Sequence, residues 1–321
     1  MKRIFSAFLA LTIIASVLCW NVAPAKAEAA KQVSIVTTIF PEYDWVREIL
    51  GDKADSAEIT MLLDNGVDLH SYQPTADDII KLSDCDLFVY VGGESDGWVE
   101  DALKSAANKD RKVINLLEVL GDSVKEEETV EGMQEEEEDQ EEKEYDEHVW
   151  LSLKNAKTLV DAISAALQEI DPDNKDAYAA NADAYGQKLS ALDAEYQKAV
   201  SAGTYKTLLF GDRFPFRYLV DDYGLSYYAA FAGCSAESEA SFETVSFLAR
   251  KVDEGKLPCV LTIEGKNHKI AETIVQNTAG KNQKILTMDS MQSTTSQDVA
   301  RGTTYLSLMA KNLDVLKEAL G

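Results

Sequence analysis

A long helical segment in the middle of the chain most constrains its fold. Between Asp171, where Asp-Pro breaks the preceding helix, and Gly203, apolar residues recur at spacings of three and four. The recurring residues are Tyr178, Ala182, Tyr185, Leu189, Leu192, Tyr196 and Val200. A helix of this length extends about 45 Å at 1.5 Å per residue, enough to cross two domains. Residues 171–203 are therefore predicted to be a connecting helix.

On both sides of this segment, short apolar runs alternate with amphipathic stretches. The runs before it are "VSIVT", "EITML", "CDLFVYVGG" and "KVINL", and those after it are "YKTLLF", "LSYYAAF", "CVLTIE" and "KILTMD". Alternation of strand and helix predicts a parallel sheet covered by helices. We expect an α/β fold of two lobes, residues 28–170 and 204–321, with a cleft between them.

The N-terminus predicts export from the cytoplasm. Lys2 and Arg3 precede an apolar run that ends at Trp20, and "APAKA" follows as a cleavage site, so residues 1–27 read as a signal peptide. Small residues after the run favour cleavage over an uncleaved membrane anchor. Cys19 leaves lipid attachment open as an alternative. No later segment approaches the ~20 apolar residues of a membrane span. We expect a periplasmic or cell-surface protein.

The chain is strongly acidic. Its formal net charge is −25, and removing residues 1–27 also removes three basic residues and no acids. Such a charge argues against nucleic acid and anionic membranes as partners and favours cations. Residues 126–147 alone hold fourteen acids against one lysine, so we predict a disordered loop over residues 122–147. It is either a solubilising insertion or a low-affinity collector of cations.

Three cysteines remain after the signal peptide: Cys85, Cys234 and Cys259. The default interpretation of each is a small buried apolar side chain. Cys234 follows one predicted strand and Cys259 begins another. Neighbouring parallel strands would place these two toward opposite ends, beyond the ~7 Å Cα separation that a disulfide allows. We therefore expect no bond between them.

Two of the three histidines stand before helices. His70 lies between a Gly-containing loop and a helix that Thr75 is predicted to cap, and His148 ends the acidic segment. Loops that follow strands are where α/β proteins bind ligands, although a single loop histidine is often only solvated surface. The third, His268, is also expected near the start of a helix, where acids are commoner than bases, but nothing else marks it and it is expected on the surface.

Around these histidines, the chain resembles the metal-binding solute receptors of ABC importers, the zinc and manganese family. "TTIFPEYDWVREILGD" is similar to its opening strand and helix, and "GVDLHSYQPTADD" and "DEHVWLSLKNA" to its two ligand loops around His70 and His148. The resemblance covers essentially the whole mature chain. It implies a binding protein rather than an enzyme, a monomer of two lobes with a rigid connecting helix, a divalent ion in the cleft, and an ABC permease as partner.

The second lobe departs from the family pattern. Counting back from "FRYLVDDYGL", the family's third ligand falls at Arg213, and an arginine does not ligate metal. The resemblance places Asp289 at the family's carboxylate ligand. Asp212 or Glu264 would then complete the site together with His70 and His148. Asp212 could instead cap a helix, and Glu264 could pair with Arg213.

Two imidazoles with one or two carboxylates suit Zn²⁺ in four-coordination, and the same set could hold Mn²⁺ or Fe²⁺. Zinc receptors of the family usually carry three histidine ligands and a His-rich loop, which this chain lacks. Zinc is still expected first, because the Irving–Williams order favours it. Two other classes stay open: a secreted zinc hydrolase with Glu264 as general base, and an adhesin or chaperone with structural metal. Against the hydrolase, the sequence holds no H-E-x-x-H.

Overall fold

The chain is represented by a computed structural model, which describes residues 32–104, 106–134, 144–235, 239–265 and 267–321. The predicted signal peptide, and Cys19 with it, lies outside these residues. Within the described ranges, none of the helices combines the length and apolar character that crossing a membrane requires.

The N-terminal lobe is a four-stranded parallel sheet with helices packed around it. Its strands are β1 (Ser34–Thr37), β2 (Glu58–Met61), β3 (Leu87–Tyr90) and β4 (Lys112–Asn115). They pair in the order β2–β1–β3–β4, and each pair is parallel. The helices are α1 (Phe40–Leu50), α2 (Ala76–Asp84), α3 (Val99–Lys104), α4 (Leu116–Leu120) and α5 (Leu153–Ile170).

The predicted connecting helix is present as α6 (Lys175–Ala202), a single helix of 28 residues. A short 3-10 turn, Pro172–Asn174, precedes it, so the α-helix starts three residues later than the Asp-Pro signal indicated. Its apolar face is buried at Tyr178, Ala182, Tyr185, Leu189, Tyr196 and Val200, as the spacing predicts. This face packs against α5 and α1.

The C-terminal lobe repeats the same architecture. Its strands are β5 (Thr207–Arg213), β6 (Ser226–Phe231), β7 (Cys259–Ile263) and β8 (Lys284–Met288). They form a parallel sheet in the order β6–β5–β7–β8. The helices are α7 (Arg217–Tyr223), α8 (Phe242–Gly255), α9 (Lys269–Asn277), α10 (Ser296–Ala300) and α11 (Tyr305–Leu320). The predicted two-lobed α/β fold is confirmed.

The last helix ties the two lobes together. Tyr305, at the start of α11, donates its backbone N–H to Asp44 of α1 at 2.9 Å, and its hydroxyl donates to the carbonyl of Trp150 at 2.6 Å. Its ring packs edge-on against Trp45, with centroids 5.3 Å apart. All three partners belong to the N-terminal lobe, so the lobes share one buried core behind the cleft.

The acidic segment differs from the predicted free loop wherever the structure describes it. Its two ends pair: Asp146 donates its N–H to the carbonyl of Lys125, and Glu127 donates to that of Glu144, both at 3.0 Å. Tyr218 clamps this pair, because its hydroxyl accepts from the N–H of Lys125 at 3.1 Å and donates to the carbonyl of Asp146 at 2.7 Å.

Further along, the segment is attached to the C-terminal lobe. Gln134 donates its N–H to the carbonyl of Ala230 and accepts the N–H of Ser241 on its side chain. Met133 is buried in the core. These contacts satisfy backbone groups and bury apolar surface, which outweighs local charge repulsion. Residues 135–143, to which the prediction of disorder also applied, lie outside the described chain.

Candidate metal site

His70 lies on the loop between β2 and α2, in a 3-10 turn over Leu69–Ser71. Asp68 begins this turn, and its Oδ1 accepts the backbone N–H of His70 at 3.1 Å. On the ring, Nδ1 lies 2.9 Å from Ser95 Oγ and 3.5 Å from Glu147 Oε2. Both neighbours can accept a hydrogen bond from Nδ1, and a neutral ring with its proton there has its lone pair on Nε2.

His148 repeats this local arrangement. Asp146, again two residues earlier, accepts the backbone N–H of His148 on Oδ1 at 2.9 Å, and the same oxygen lies 3.0 Å from the ring Nδ1. The side chain is fully buried, and its ring lies beside that of Trp150 with centroids 5.2 Å apart. A carboxylate on one ring nitrogen fixes the tautomer and directs the lone pair of the other outward, as in many metal-binding histidines.

The second ring nitrogens of the two histidines, their Nε2 atoms, face each other. Nε2 of His70 and Nε2 of His148 are 3.2 Å apart. Two imidazole nitrogens at 2.0–2.1 Å from a tetrahedral Zn²⁺ would stand about 3.3 Å apart. The pair therefore has the separation of two ligands on one ion.

The pKa values of the two rings move in opposite directions. Burial and the neighbouring His148 lower the pKa of His70 to about 3. Burial also disfavours charge on His148, but Asp146, Glu147 and Asp68 outweigh it and raise the pKa of His148 above its ordinary value. Below this raised pKa, the protonated ring of His148 carries an Nε2–H that can donate to Nε2 of His70, and a metal ion bound at the pair would have to displace that proton.

Buried carboxyl groups surround the pair. Glu147 accepts the N–H of Ser95 at 2.9 Å on one oxygen and faces His70 with the other. Burial raises the pKa of Glu147, and it raises the pKa of Asp96 to about 7. A raised carboxyl pKa means that negative charge is costly there without a counter-ion. A divalent cation at the imidazole pair would supply one.

A third potential ligand comes from the C-terminal lobe. Among the described residues, one group of His, Cys and acidic side chains has ligand atoms that all lie within 4.8 Å of one another: His70, His148 and Cys234. Cys234 stands on the loop after β6. Burial and nearby carboxylates, Glu127 first among them, hold the pKa of its thiol well above the usual range.

Sequence reasoning missed Cys234 as a ligand and treated all three cysteines as packing residues. That interpretation fits Cys85 and Cys259, which are buried in the two lobes. All three are free thiols, so Cys234 and Cys259 form no disulfide in this structure. The only sequence signal for Cys234 was its position in "FAGCS", directly after a strand of the second lobe.

Arg213, at the slot of the family's third ligand, makes an ion pair with the opposite lobe. Its Nη2 lies 2.5 Å from Asp68 Oδ2, and its Nη1 donates to the carbonyl of Ser235 at 3.3 Å. Burial alone would raise the pKa of Asp68, but Arg213 and His70 outweigh it and lower that pKa. The arginine therefore joins the lobes beside the imidazole pair, and its carboxylate partner is Asp68 rather than Glu264.

Asp212 and Glu264, predicted to complete the site, lie outside this ligand group in the described chain. Asp212 accepts the N–H of Arg213 at 2.9 Å and that of Ile263 at 3.3 Å. Glu264 accepts the N–H and hydroxyl of Ser290 at 2.6 and 2.7 Å. Hydrogen-bond donors of their own lobe thus hold both carboxylates.

Asp289, the third predicted carboxylate, is also outside the group in the described chain. It accepts the N–H of Met291 at 2.8 Å, and burial and the nearby Glu264 raise its pKa to about 7. The backbone carbonyl of the next residue, Ser290, accepts the indole N–H of Trp150, whose ring lies tilted against that of His148. Asp289 therefore lies near the site but is turned toward its own chain.

Asp212 and Glu264 do line a cleft of about 390 Å³ that also reaches Asp68 and Arg213. Both acids thus stand beside the ion pair rather than among the imidazoles. His268, expected on the surface, is half-buried before α9 and is likewise outside the ligand group in the described chain.

Comparison with known proteins identifies relatives along the whole described chain. The family described as "Zinc-uptake complex component A periplasmic" matches residues 35–319. The chain is 31% identical to the zinc-binding lipoprotein AdcA of Streptococcus pneumoniae serotype 4, over 99% of this chain and 61% of that protein. It is 29% identical to the high-affinity zinc uptake system protein ZnuA of Bacillus subtilis, over 90% of this chain and 88% of that protein.

The fold agrees with a solved structure as well. The Zn(II)-bound ZnuA-like domain of S. pneumoniae AdcA superimposes with a TM-score of 0.70 at 30% identity, covering 90% of this chain and 99% of that domain. The chain spans only about 61% of the length of the AdcA protein itself. From the match over residues 35–319, the chain belongs to the family of zinc-uptake complex component A.

Proposed function

We propose that this protein is an extracytoplasmic receptor that captures a divalent transition metal, zinc first, and delivers it to the permease of an ABC importer. Its relatives are named as zinc-binding and zinc-uptake proteins. The signal-peptide pattern supports a location outside the cytoplasm, free or lipid-anchored. The chain acts as a monomer in this proposal, because both lobes of the cleft come from one chain.

One observation carries the proposal: the two Nε2 atoms of His70 and His148 face each other at 3.2 Å. Each ring is oriented through its other nitrogen, by Ser95 and Asp146. Such pre-orientation lowers the cost of assembling a site around an ion. We propose His70 and His148 as ligands of the captured metal.

Zinc is preferred to manganese or iron on the chemistry of the donors. Imidazole nitrogen suits Zn²⁺, whereas Mn²⁺ favours sites richer in carboxylate and water oxygens. The carboxylates predicted to supply those oxygens are Asp289, Asp212 and Glu264, and all three accept hydrogen bonds within their own lobe. A manganese or iron receptor of the same family is the second candidate.

The alternative function, a secreted zinc hydrolase with Glu264 as general base, is less well supported. A zinc hydrolase needs a general base within reach of the metal-bound water. Glu264, predicted for that role, accepts hydrogen bonds from Ser290 and Gln292. Members of the family are components of zinc-uptake complexes rather than enzymes.

The proposal is tested by zinc titration against a competing chelator, using wild type, His70→Ala and His148→Ala. Loss of a direct ligand should exceed the roughly 10–100-fold loss typical of an outer-shell residue. The matched control is His268→Ala, which removes a histidine outside the ligand group and should bind like wild type. If both ligand variants bind zinc like wild type, the proposed site is wrong. If wild type binds no divalent metal, the proposed function is wrong.

A further inference from the structure

The C-terminal lobe must supply a ligand if the ion is to be held between both lobes, and the family's slot for it holds Arg213. Arg213 is engaged with Asp68 and cannot ligate metal. The sulfur of Cys234 lies within 4.8 Å of a ring nitrogen of both His70 and His148. We propose that Cys234 ligates the captured ion through its thiolate and sets the preference of the site for zinc over manganese.

Close packing holds Cys234 at this place. A Cβ on Gly233 would lie 3.0 Å from Cε1 of His148 and 2.9 Å from the carbonyl oxygen of Phe214. Only glycine fits that contact without displacing its neighbours. The missing side chain lets the β6 loop approach the edge of the His148 ring, and the next residue is the cysteine.

A second contact fixes the backbone of the cysteine itself. Its N–H donates to Glu127 Oε1 at 3.0 Å, and Glu127 belongs to the paired base of the acidic segment. Cys234 is therefore anchored on one side by the packing of Gly233 and on the other by Glu127. Anchors on both sides of a side chain are typical of a pre-organised ligand rather than of a residue that merely fills space.

The chemistry of binding balances with no further reactant. The S–H bond of Cys234 breaks, its proton leaves to water, and the sulfur lone pair forms the metal–sulfur bond. Any proton on the Nε2 atoms of the two imidazoles leaves to water in the same step, so that both nitrogen lone pairs bind the ion. The resulting donor set is two nitrogens and one sulfur, which makes three protein ligands, the number used by zinc sites that keep a fourth position for water.

A thiolate in this position makes the site discriminating. Soft thiolate sulfur favours zinc and copper, whereas manganese prefers carboxylate and water oxygen. Family sites that use a carboxylate or a third imidazole lack this sulfur. The inference deepens the proposed function and rests on it, because it concerns the same captured ion.

Spectroscopy on the wild-type protein tests the bond directly. X-ray absorption at the zinc edge of the zinc-loaded protein should resolve a sulfur neighbour at about 2.3 Å beside nitrogen neighbours at about 2.0–2.1 Å. Loading with Co²⁺ should give a thiolate-to-metal charge-transfer absorption. Zinc bound by nitrogen and oxygen alone overturns the thiolate and leaves the proposed function intact. Failure to bind zinc at all overturns both.

Substitution then tests the selectivity. Cys234→Ser should lose the sulfur neighbour and the charge-transfer absorption, weaken zinc binding more than about 100-fold, and weaken manganese binding far less. The matched control is Cys85→Ser, which removes a buried thiol of the N-terminal lobe that donates to the carbonyl of Leu82, a bond a hydroxyl can replace. It should keep both the absorption and the affinity. An equal loss of zinc and manganese affinity in Cys234→Ser overturns the selectivity.

Discussion

The two halves of the candidate site are positioned over very different distances along the chain. In the N-terminal lobe, the backbone N–H of each histidine is held by an aspartate two residues earlier, Asp68 for His70 and Asp146 for His148. In the C-terminal lobe, the N–H of Cys234 is held by Glu127, which is 107 positions away. The first half is a local sequence pattern, and the second depends on the folded chain.

This difference explains why the sequence predicts the two histidines of the N-terminal lobe but not the role of Cys234. Asp-x-His occurs twice and fixes the backbone of each histidine, and Asp146 also orients the ring of His148, so the pattern itself carries much of the geometry. A cysteine after a strand has no local signal, because its role depends on Gly233 packing against His148 and on a distant glutamate. The experiments below probe the two halves in order of expected effect.

The largest effect should come from protons that compete with the metal ion for the histidine nitrogens of the N-terminal lobe. Because the pKa of His148 is raised above 6.5, its proton must leave before Nε2 can bind metal. The part of the affinity that His148 controls is therefore full above this raised pKa and falls as pH drops through it, while release of the Cys234 proton adds its own pH dependence. His70, whose pKa is lowered to about 3, adds no loss in this range.

Each proton that must leave costs a factor of ten per pH unit, so zinc affinity should fall at least about 100-fold over two units below the raised pKa. Competition titrations between pH 8 and pH 5 measure it. A flat profile down to pH 5.5 would remove His148 from the ligand set.

Next in size is the difference between the two aspartates. Asp146→Asn removes the carboxylate on the ring nitrogen of His148 and should weaken zinc binding roughly 10–100-fold. Asp68→Asn should cost less than about tenfold, because Asp68 contacts the backbone of His70 and the guanidinium of Arg213 rather than Nδ1. Thermal unfolding of both variants controls for misfolding. Equal losses of affinity would mean that ring orientation is not what Asp146 contributes.

A smaller effect is expected from the carboxylates of the C-terminal half. Asp289→Asn, Asp212→Asn and Glu264→Gln should each change zinc affinity less than about tenfold, below the range for residues that orient a ligand. Their hydrogen bonds within the lobe are the reason. A loss beyond about 100-fold in Asp289→Asn would restore it as the ligand that the family pattern predicts.

The smallest effect concerns the acidic segment. Replacing the seven acids of residues 135–143 by Asn and Gln removes most of the charge between its paired ends. Zinc association should slow only a few-fold at low salt, with unchanged equilibrium affinity, because steering acts on the rate of encounter. Stopped-flow traces with a fluorescent zinc indicator measure the rate. If wild type and variant associate with zinc at the same rate at both low and high salt, the acidic segment keeps only a solubilising role.

Much of the fold was predictable because the signals are strong and local. The apolar face of α6, the strand runs of both sheets and the Thr75 cap of α2 were all readable from spacing and residue type. The structure of the two ends of the acidic segment was not predictable from the sequence. Charge composition predicted disorder, but pairing of Lys125 with Asp146 and the clamp by Tyr218 are long-range contacts that composition does not encode.

The site was predictable to a similar degree. His70 and His148 were named from their motifs, and the structure brings them together. Asp289 was named from the family pattern, Asp212 from its position beside the family's ligand slot at Arg213, and Glu264 from the end of its strand. Whether a carboxylate there turns to the cleft or to a neighbouring backbone N–H depends on packing of the segment around Ser290, which the sequence does not reveal.

The clamp at the base of the acidic segment has a consequence for evolution and engineering. The hydroxyl of Tyr218 hydrogen-bonds to Lys125, at the start of the acidic segment, and to Asp146, at its end. His148 follows two residues after Asp146. The length between the paired ends can therefore drift without moving the metal ligand, since each doubling of a closed loop costs only about 0.6 kcal/mol. The same property makes the segment between the paired ends a position for inserting a fluorescent reporter while the arrangement of His70 and His148 stays as it is.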